Sequence, residues 1–318
     1  MWIMRLVVEG MMRKVLILKT GYIETLTNER YEEESVSLGD VLRTTAILHP
    51  FKKDHVTWVT DRSAVPILKL NPRINRLLHW NLATVLQLMQ EQFDILINLE
   101  KVPGICALAA NIQAWQKYGF RFDAVTGEGK AYKEAINALY VAQDERLKVK
   151  SGKHWLELLY EMAGLLWKNE GYILRLPERL YDRHVMVGLN WHVGSKFPGK
   201  GWSDGCWMKL RELLANEGMT VDMQVNPGEI RLPEPGSDKL TDYMNWIDEC
   251  SCLVTCDSLG LHVAMALDKR VVGLFGPTKA SEMPPYSKGI MIQESKMEDI
   301  TPERVCQAVK EAFSWGMG

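Results

Sequence analysis

The sequence predicts an α/β protein made of two doubly wound halves, each with helices on both faces of a mostly parallel sheet. Two observations support this prediction. Short apolar runs alternate with amphipathic segments along the chain, which is typical of repeated strand–helix units. The length of 318 residues also exceeds what one hydrophobic core usually serves, so we expect two domains.

The first half contains four predicted strands, each a short aliphatic run bounded by polar residues. They are KVLILKT (14–20), HVTWVT (55–60), INRLLHW (74–80) and FDILINLE (93–100). Helices are predicted around 40–48, 63–69, 82–92, 103–116 and 153–168. Residues 20–37 are polar and follow neither period, so we expect a long loop insertion after the first strand.

A proline-containing segment, 171–184, is predicted to join the halves, which gives domains 1–178 and 179–318. The second half has predicted strands at 185–193, 220–225, 252–256 and 271–276, with helices near 204–217, 241–250 and 258–267. A Thr-Pro-Glu start signal predicts a last helix over 301–313, which we expect to pack back on the first domain. Residues 1–12 are expected to be a disordered extension, with Met11 or Met12 as the natural start.

Composition excludes several classes of protein. The net charge of −2 provides no basic field for nucleic acid, so no nucleic-acid partner is expected. No uninterrupted apolar run reaches the length of a membrane span. We therefore expect a cytoplasmic protein whose six cysteines are reduced. Cys250, Cys252 and Cys256 lack the spacing of zinc ligands, so no metal is expected.

The strand at 252–256 ends in a polar turn that carries Asp257, Ser258, Gly260 and His262, where a helix begins. Ligands of open α/β sheets bind outside the carboxyl ends of strands, and a helix N-terminus there favours phosphate. The turn therefore predicts an anion site, with a nucleotide diphosphate as the favoured ligand. The alternatives are that Ser258 only caps the helix and that His262 is a packed core residue.

A glycine-rich segment, GLNWHVGSKFPGKGW (188–202), follows another predicted strand. Gly194 to Lys200 fit the spacing of a phosphate-binding P-loop, but Gly201 stands where Ser or Thr would hold magnesium, which argues against a nucleoside-triphosphate hydrolase. Lys200 either contacts phosphate oxygens or is a solvated lysine in a turn. The nearby tryptophans either stack on a ligand or pack in the core; they are Trp191, Trp202, Trp207 and Trp246.

SLGDVLRTTAIL (37–48) places Gly39 and Asp40 at the start of a helix. In one interpretation Asp40 only complements the helix dipole, an effect of about 0.3–1 kcal/mol. In the other it is a general base facing a cleft between the domains, a role that contributes roughly 10²- to 10⁴-fold in rate.

Taken in order, these segments resemble the heptosyltransferases of glycosyltransferase family 9, whose GT-B fold has two Rossmann-like domains facing a central cleft. The resemblance lies in SLGDVLRTTAIL, WHVGSKFPGKGW and CDSLGLHVAMALDKRVVGLFGPT. It implies that Asp40 is the catalytic base and that a set of donor-binding residues holds the diphosphate: Lys200, Asp257, Ser258, Leu259, Gly260 and His262. Secondary candidates are Gly39, Ser195, Lys196, Trp202 and, for the ribose, Glu229. The family commonly has glycine directly after Asp-Ser/Thr, where this chain has Leu259.

The resemblance implies an inverting glycosyltransferase that needs no cofactor. Its donor would be a nucleotide-diphosphate sugar, with ADP-heptose favoured, and its acceptor a glycan or lipid-linked hydroxyl in lipopolysaccharide or surface-glycan biosynthesis. A nucleotide-sugar epimerase and a non-catalytic nucleotide- or glycan-binding protein are the alternatives. Residues 101–153 hold nine Lys/Arg against five Asp/Glu. This basic segment is either a solvated face or a peripheral contact with the inner face of the cytoplasmic membrane, involving Lys117 and Arg121.

Overall fold

The structure is a computed structural model that describes residues 12–22, 36–143, 152–178, 184–191, 199–224 and 238–314. The chain forms two compact units, residues 1–151 with 156–170 and residues 152–155 with 171–318. The domain boundary after residue 178 stays a prediction. None of the helices in the described ranges has the length and apolar character that crossing a membrane requires.

The first unit contains a six-stranded sheet with the order β3-β2-β1-β4-β5-β6. Its strands are β1 (Lys14–Leu18), β2 (His55–Thr60), β3 (Arg76–His79), β4 (Gln92–Asn98), β5 (Gln113–Asp123) and β6 (Glu128–Ala131). All neighbours are parallel except β5 and β6, which pair antiparallel. The four predicted strands are confirmed as β1 to β4. The chain adds strands on one side of β1 up to β3 and on the other side from β4 onward, so the switch point of this sheet lies between β1 and β4.

The helices of the first unit lie largely where the apolar periodicity predicts them. They are α1 (Leu38–Thr44), continued as a 3-10 helix (Thr45–Phe51), α2 (Val65–Leu68), α3 (Leu82–Leu88), α4 (Pro103–Asn111), α5 (Ile136–Gln143) and α6 (Trp155–Met162). The predicted helix 103–116 is wrong over its last five residues, 112–116. The chain leaves α4 at Ile112 and enters β5, because residues from Gln113 onward hydrogen-bond along β4.

The second unit contains a five-stranded, all-parallel sheet with the order β11-β10-β9-β7-β8. Its strands are β7 (Val185–Asn190), β8 (Val221–Met223), β9 (Cys250–Cys256), β10 (Arg270–Phe275) and β11 (Gly289–Gln293). Its helices are α7 (Asp204–Asn216), α8 (Lys239–Glu249), α9 (Leu259–Ala266) and α10 (Pro302–Ser314). The four strands predicted for this half are confirmed, and β11 is an addition.

The core of the second unit is formed by strand and helix side chains that are removed from water. Val187 and Val254 of the sheet pack in one cluster with Leu210 of α7 and Val309 of α10. Such burial contributes about 1.5–3 kcal/mol for each large aliphatic side chain. The apolar face of the last helix is thus buried within the second unit, and its predicted packing on the first domain stays a prediction.

Candidate functional site: the strand ends of the second unit

The second sheet reverses its direction of winding between β7 and β9, and polar residues gather at the carboxyl ends of these two strands. Asn190, the last residue of β7, lies opposite Thr255 of β9. The amide Nδ2 of Asn190 donates to Thr255 Oγ1 at 2.8 Å and to Ser258 Oγ at 3.1 Å. In open α/β sheets this switch point is where ligands bind. The fully buried Asn190 therefore joins the two strand ends that frame the site.

Ser258 caps α9, the helix that begins directly after β9. Its backbone is extended, with φ −150° and ψ 177°, and its Oγ accepts a hydrogen bond from the Gly260 amide at 3.2 Å. This cap satisfies one of the backbone donors that a helix start leaves unpaired. The capping role anticipated for Ser258 is therefore present in the structure, and it engages the Gly260 amide.

Gly260 is required at this place because the helix start approaches β7 and α8 closely. A Cβ atom on residue 260 would lie 2.4 Å from Asn190 Nδ2 and 2.6 Å from the Tyr243 hydroxyl. Tyr243 is buried, and its side chain hydrogen-bonds to Asn190. Any side chain at position 260 would therefore displace the polar network beneath the start of α9.

Asp257 and Lys200 form an ion pair beside the same helix start. Lys200 Nζ donates to Asp257 Oδ2 at 2.7 Å, and each side chain is 20% exposed. Burial raises the pKa of Asp257, but the charge and hydrogen bond of Lys200 outweigh it, helped by His262 and by a hydrogen bond with Thr278, so the pKa lies below its ordinary value. Asp257 is therefore held as a carboxylate that fixes the Lys200 ammonium near the N-terminus of α9. A cation and a helix N-terminus in this arrangement suit an anionic ligand.

His262 lies on the first turn of α9 and is 6% exposed. Its ring meets the ring of Tyr172 edge-on, with the centroids 5.6 Å apart. Tyr172 is the second residue of the segment predicted to join the two domains, 171–184. The structure thus supports a packed histidine that also acts electrostatically on Asp257.

All four of the tryptophans near this site have structural contacts, which favours the packing alternative for them. Trp191 Nε1, for example, donates to the Gln224 carbonyl. Trp202 is 4% exposed, packs edge-on against Trp207 and donates from Nε1 to the Ile300 carbonyl at 3.0 Å. It therefore anchors the backbone two residues after Lys200 and is not available for stacking on a ligand. Trp246 Nε1 donates to Asp222 Oδ2 at 3.2 Å.

The cysteines of β9 are neutral thiols in the core. Burial raises the pKa of Cys252 and of Cys256 to about 12, and that of Cys250 also rises. Metal ligation uses thiolates, which these surroundings disfavour. Among the described residues, no group of three or more His, Cys, Asp or Glu is placed to hold a metal ion.

In the first unit, Gly39 and Asp40 lie on the first turn of α1, which follows the carboxyl end of β1. The Asp40 side chain is 30% exposed and forms an ion pair with Arg43 one turn later. Ser195, Lys196 and Glu229 lie outside the described residues, as does most of the predicted loop 20–37.

Sequence reasoning missed two residues that the structure brings to the site, Asn190 and Tyr243. Asn190 is a polar residue that ends an apolar strand, and that position was the available signal. Nothing in the sequence around Tyr243 indicates its contact with Asn190. Thr278, which acts on Asp257, belongs to the Gly276-Pro277-Thr278 end of the motif that the resemblance already included.

Comparison with known proteins agrees with this fold. Residues 236–312 match the model of glycosyltransferase family 9 (heptosyltransferase). A lipooligosaccharide heptosyltransferase 2 from Haemophilus influenzae is 27% identical over 158 residues, 38% of this chain and 46% of that protein. Its counterpart from Haemophilus ducreyi is 30% identical over 160 residues, again 38% and 46%. The chain thus matches about half the length of these relatives.

Solved structures agree over almost the whole chain. A family 9 glycosyl transferase from Veillonella parvula has a TM-score of 0.71 at 18% identity and covers 95% of this chain and 97% of its own. An ADP-heptose lipopolysaccharide heptosyltransferase II from E. coli has a TM-score of 0.67 at 16% identity, with coverage of 96% and 100%. The resemblance to family 9 and the GT-B fold class are both confirmed.

Proposed function

We propose that this family 9-like chain is an inverting glycosyltransferase. It moves a sugar from a nucleotide-diphosphate donor, with ADP-heptose favoured, to a hydroxyl of a glycan or lipid-linked acceptor in lipopolysaccharide or surface-glycan biosynthesis. The observation that carries the proposal is the Lys200–Asp257 pair beside the capped start of α9, at the switch point of the second sheet.

The donor side of the proposal rests on charge. When the sugar is transferred, the diphosphate leaves with the electron pair of the broken bond, so negative charge increases on its oxygens. Lys200 and the N-terminus of α9 stabilise that charge as it develops, because their positions are fixed before the reaction begins. Asp257, Ser258, Leu259, Gly260 and His262 hold this arrangement or contact the diphosphate directly.

The acceptor side rests on Asp40. Its carboxylate removes the proton of the acceptor hydroxyl while the oxygen attacks the anomeric carbon from the face opposite the diphosphate. A new glycosidic bond forms, the bond from the anomeric carbon to the phosphate oxygen breaks, and the nucleoside diphosphate leaves with that electron pair. A single displacement of this kind inverts the anomeric configuration and requires no covalent enzyme intermediate.

The relatives support this choice of substrate class. The two Haemophilus relatives that match in sequence are lipooligosaccharide heptosyltransferases. Two E. coli heptosyltransferase structures of similar fold contain ADP or ADP-2-deoxy-2-fluoro heptose. The family match also favours transfer over epimerisation. An epimerase would convert the donor without an acceptor, whereas a transferase releases ADP in proportion to the acceptor supplied. A non-catalytic protein would bind ADP and release none.

The base is tested by comparing Asp40→Asn with Arg43→Met. Both substitutions break the Asp40–Arg43 ion pair, but only the first removes the carboxylate. We expect Asp40→Asn to lower turnover by roughly 10²- to 10⁴-fold while ADP binding, measured by calorimetry, is kept. Arg43→Met is expected to retain measurable turnover. Turnover of Asp40→Asn at the level of Arg43→Met would show that Asp40 is not the base.

A peripheral membrane contact through residues 101–153 is part of the same proposal. Trp115 on β5 is 63% exposed and is a candidate for insertion between lipid headgroups. Lys117 is less suitable, because its ammonium donates to the carbonyls of Ala109 and Ala110 at the end of α4 and burial lowers its pKa. Trp115→Ser is expected to weaken co-sedimentation with anionic vesicles, and unchanged co-sedimentation would refute the contact.

A further inference from the structure

A buried ion pair lies at the switch point of the first sheet, in a place that the proposed reaction does not use. Lys19 follows β1 and Glu100 follows β4, and their side chains are 2% and 0% exposed. Lys19 Nζ lies 3.3 Å from Glu100 Oε1. Removing two charges from water is costly, and such pairs are weak evidence for stability alone. This pair is therefore explained better by a contact that two apolar side chains could not make.

Glu100 also holds the backbone of the segment that follows β1. Its Oε1 accepts a hydrogen bond from the Gly21 amide at 2.8 Å. Gly21 has φ +89°, a left-handed conformation that glycine adopts readily. Its carbonyl in turn accepts the Ser37 amide at 2.7 Å, next to an antiparallel bridge between Tyr22 and Val36. One residue, Gly21, thus links the buried carboxylate to Ser37.

Ser37 is the residue directly before α1, and its carbonyl accepts the Val41 amide at 3.2 Å. Gly21 also packs tightly against this helix, since a Cβ on residue 21 would lie 2.8 Å from Val41 Cγ2 and 2.9 Å from Val36 Cγ1. The first turn of α1, which carries Asp40, therefore rests on the Gly21 backbone.

We infer that Glu100 is a positioning residue that sets the place of Asp40 through Gly21 and Ser37. The inference rests on the proposed function, because it assigns Asp40 the role of base. Catalytic geometry is sensitive to such support, since a displacement of about 1 Å can cost roughly 10²-fold in rate. Lys19 neutralises the buried carboxylate.

The experiment compares two double variants that both remove the buried charges. Lys19→Met with Glu100→Gln keeps an oxygen that can accept the Gly21 amide. Lys19→Met with Glu100→Met keeps the shape of that side chain without an acceptor. Both residues are substituted because replacing Glu100 alone would leave a buried, unpaired lysine. Such a lysine could unfold the protein, and that effect could not be told apart from a displacement of Asp40. Glu91→Gln, which breaks the ion pair between Glu91 and Arg76 elsewhere in the same unit, is the control.

Two readouts are needed. Hydrogen exchange is expected to show loss of protection at the Gly21 and Ser37 amides in the Met variant, with protection kept in the Gln variant and in the control. Turnover is expected to be about tenfold lower in the Met than in the Gln variant, at equal affinity for ADP. Adding Lys19→Met and Glu100→Met to Asp40→Asn is expected to cause no further loss of turnover, because Glu100 acts through Asp40.

Equal exchange, or equal turnover, in the two double variants would overturn the inference. A wild-type protein that transfers no sugar would instead overturn the proposed function. In that case the exchange data alone still decide whether Glu100 holds Gly21 and Ser37 in place.

Discussion

Gly260→Ala tests the packing beneath the candidate site. The new Cβ would lie 2.4 Å from Asn190 Nδ2 and 2.6 Å from the Tyr243 hydroxyl, whereas ordinary contacts are 3.4–4 Å. Both neighbours are buried and hydrogen-bonded, so relief requires breaking their network. Overpacking of this kind costs about 1–3 kcal/mol. Replacing glycine in a helix stabilises by about 0.4–1 kcal/mol, so the centres of the two ranges give a net loss of about 1 kcal/mol.

Gly205→Ala is the matched control. Gly205 is also the second residue of a helix capped by serine, here α7 with Ser203, and a Cβ there has nothing within 4 Å. It should gain about 0.4–1 kcal/mol. Urea unfolding would then separate the two variants by roughly 1 M in midpoint, since small proteins lose about 1–3 kcal/mol per molar urea. Equal midpoints would refute the claim that close packing requires glycine at position 260.

Two further predictions concern the ion pair at the start of α9. Lys200→Met is expected to lower ADP affinity about 10- to 100-fold by calorimetry, because a hydrogen bond to a charged group contributes about 1.5–3 kcal/mol; Lys209→Met, which breaks an exposed pair with Glu212, should leave affinity unchanged. The lowered pKa of Asp257, where the effect of Lys200 outweighs that of burial, means that the unfolded chain takes up this proton first as pH falls. The wild type should therefore keep its whole stability advantage over Asp257→Asn above about pH 4 and lose it as the pH falls through the folded pKa. A difference in the free energy of urea unfolding that stays constant between pH 7 and pH 3 would contradict this.

Much of the fold follows from local pattern. Runs such as KVLILKT are apolar and β-branched over one strand length, so β1 could be placed within a residue or two. The failure at 103–116 has a physical reason. Residues 112–116 have no strong preference against helix, and their state is decided by hydrogen bonds to β4, a partner about 20 residues earlier. The short β6 lacks an apolar run and was not predictable.

The candidate site, like the fold, could be predicted from the sequence only in part. Asp257, Ser258 and Gly260 lie within four consecutive residues, so their place at a strand–helix turn could be predicted from sequence. The role of Gly260 could not, because it depends on Asn190 and Tyr243, which are distant in the chain. The buried pair of Lys19 and Glu100 was missed for the same reason, since neither strand end indicates which other strand lies beside it.

The sequence by itself determined the two-sheet α/β class, the polar turn after β9 and the resemblance to family 9, because strand periodicity, helix starts and short motifs are encoded within a few neighbouring residues. The tertiary structure decided which strand ends meet. The order β11-β10-β9-β7-β8 brings Asn190 beside Thr255 and Ser258, and the order β3-β2-β1-β4-β5-β6 brings Lys19 beside Glu100. These contacts join residues about 65 to 80 positions apart, and only the packed sheets make them neighbours.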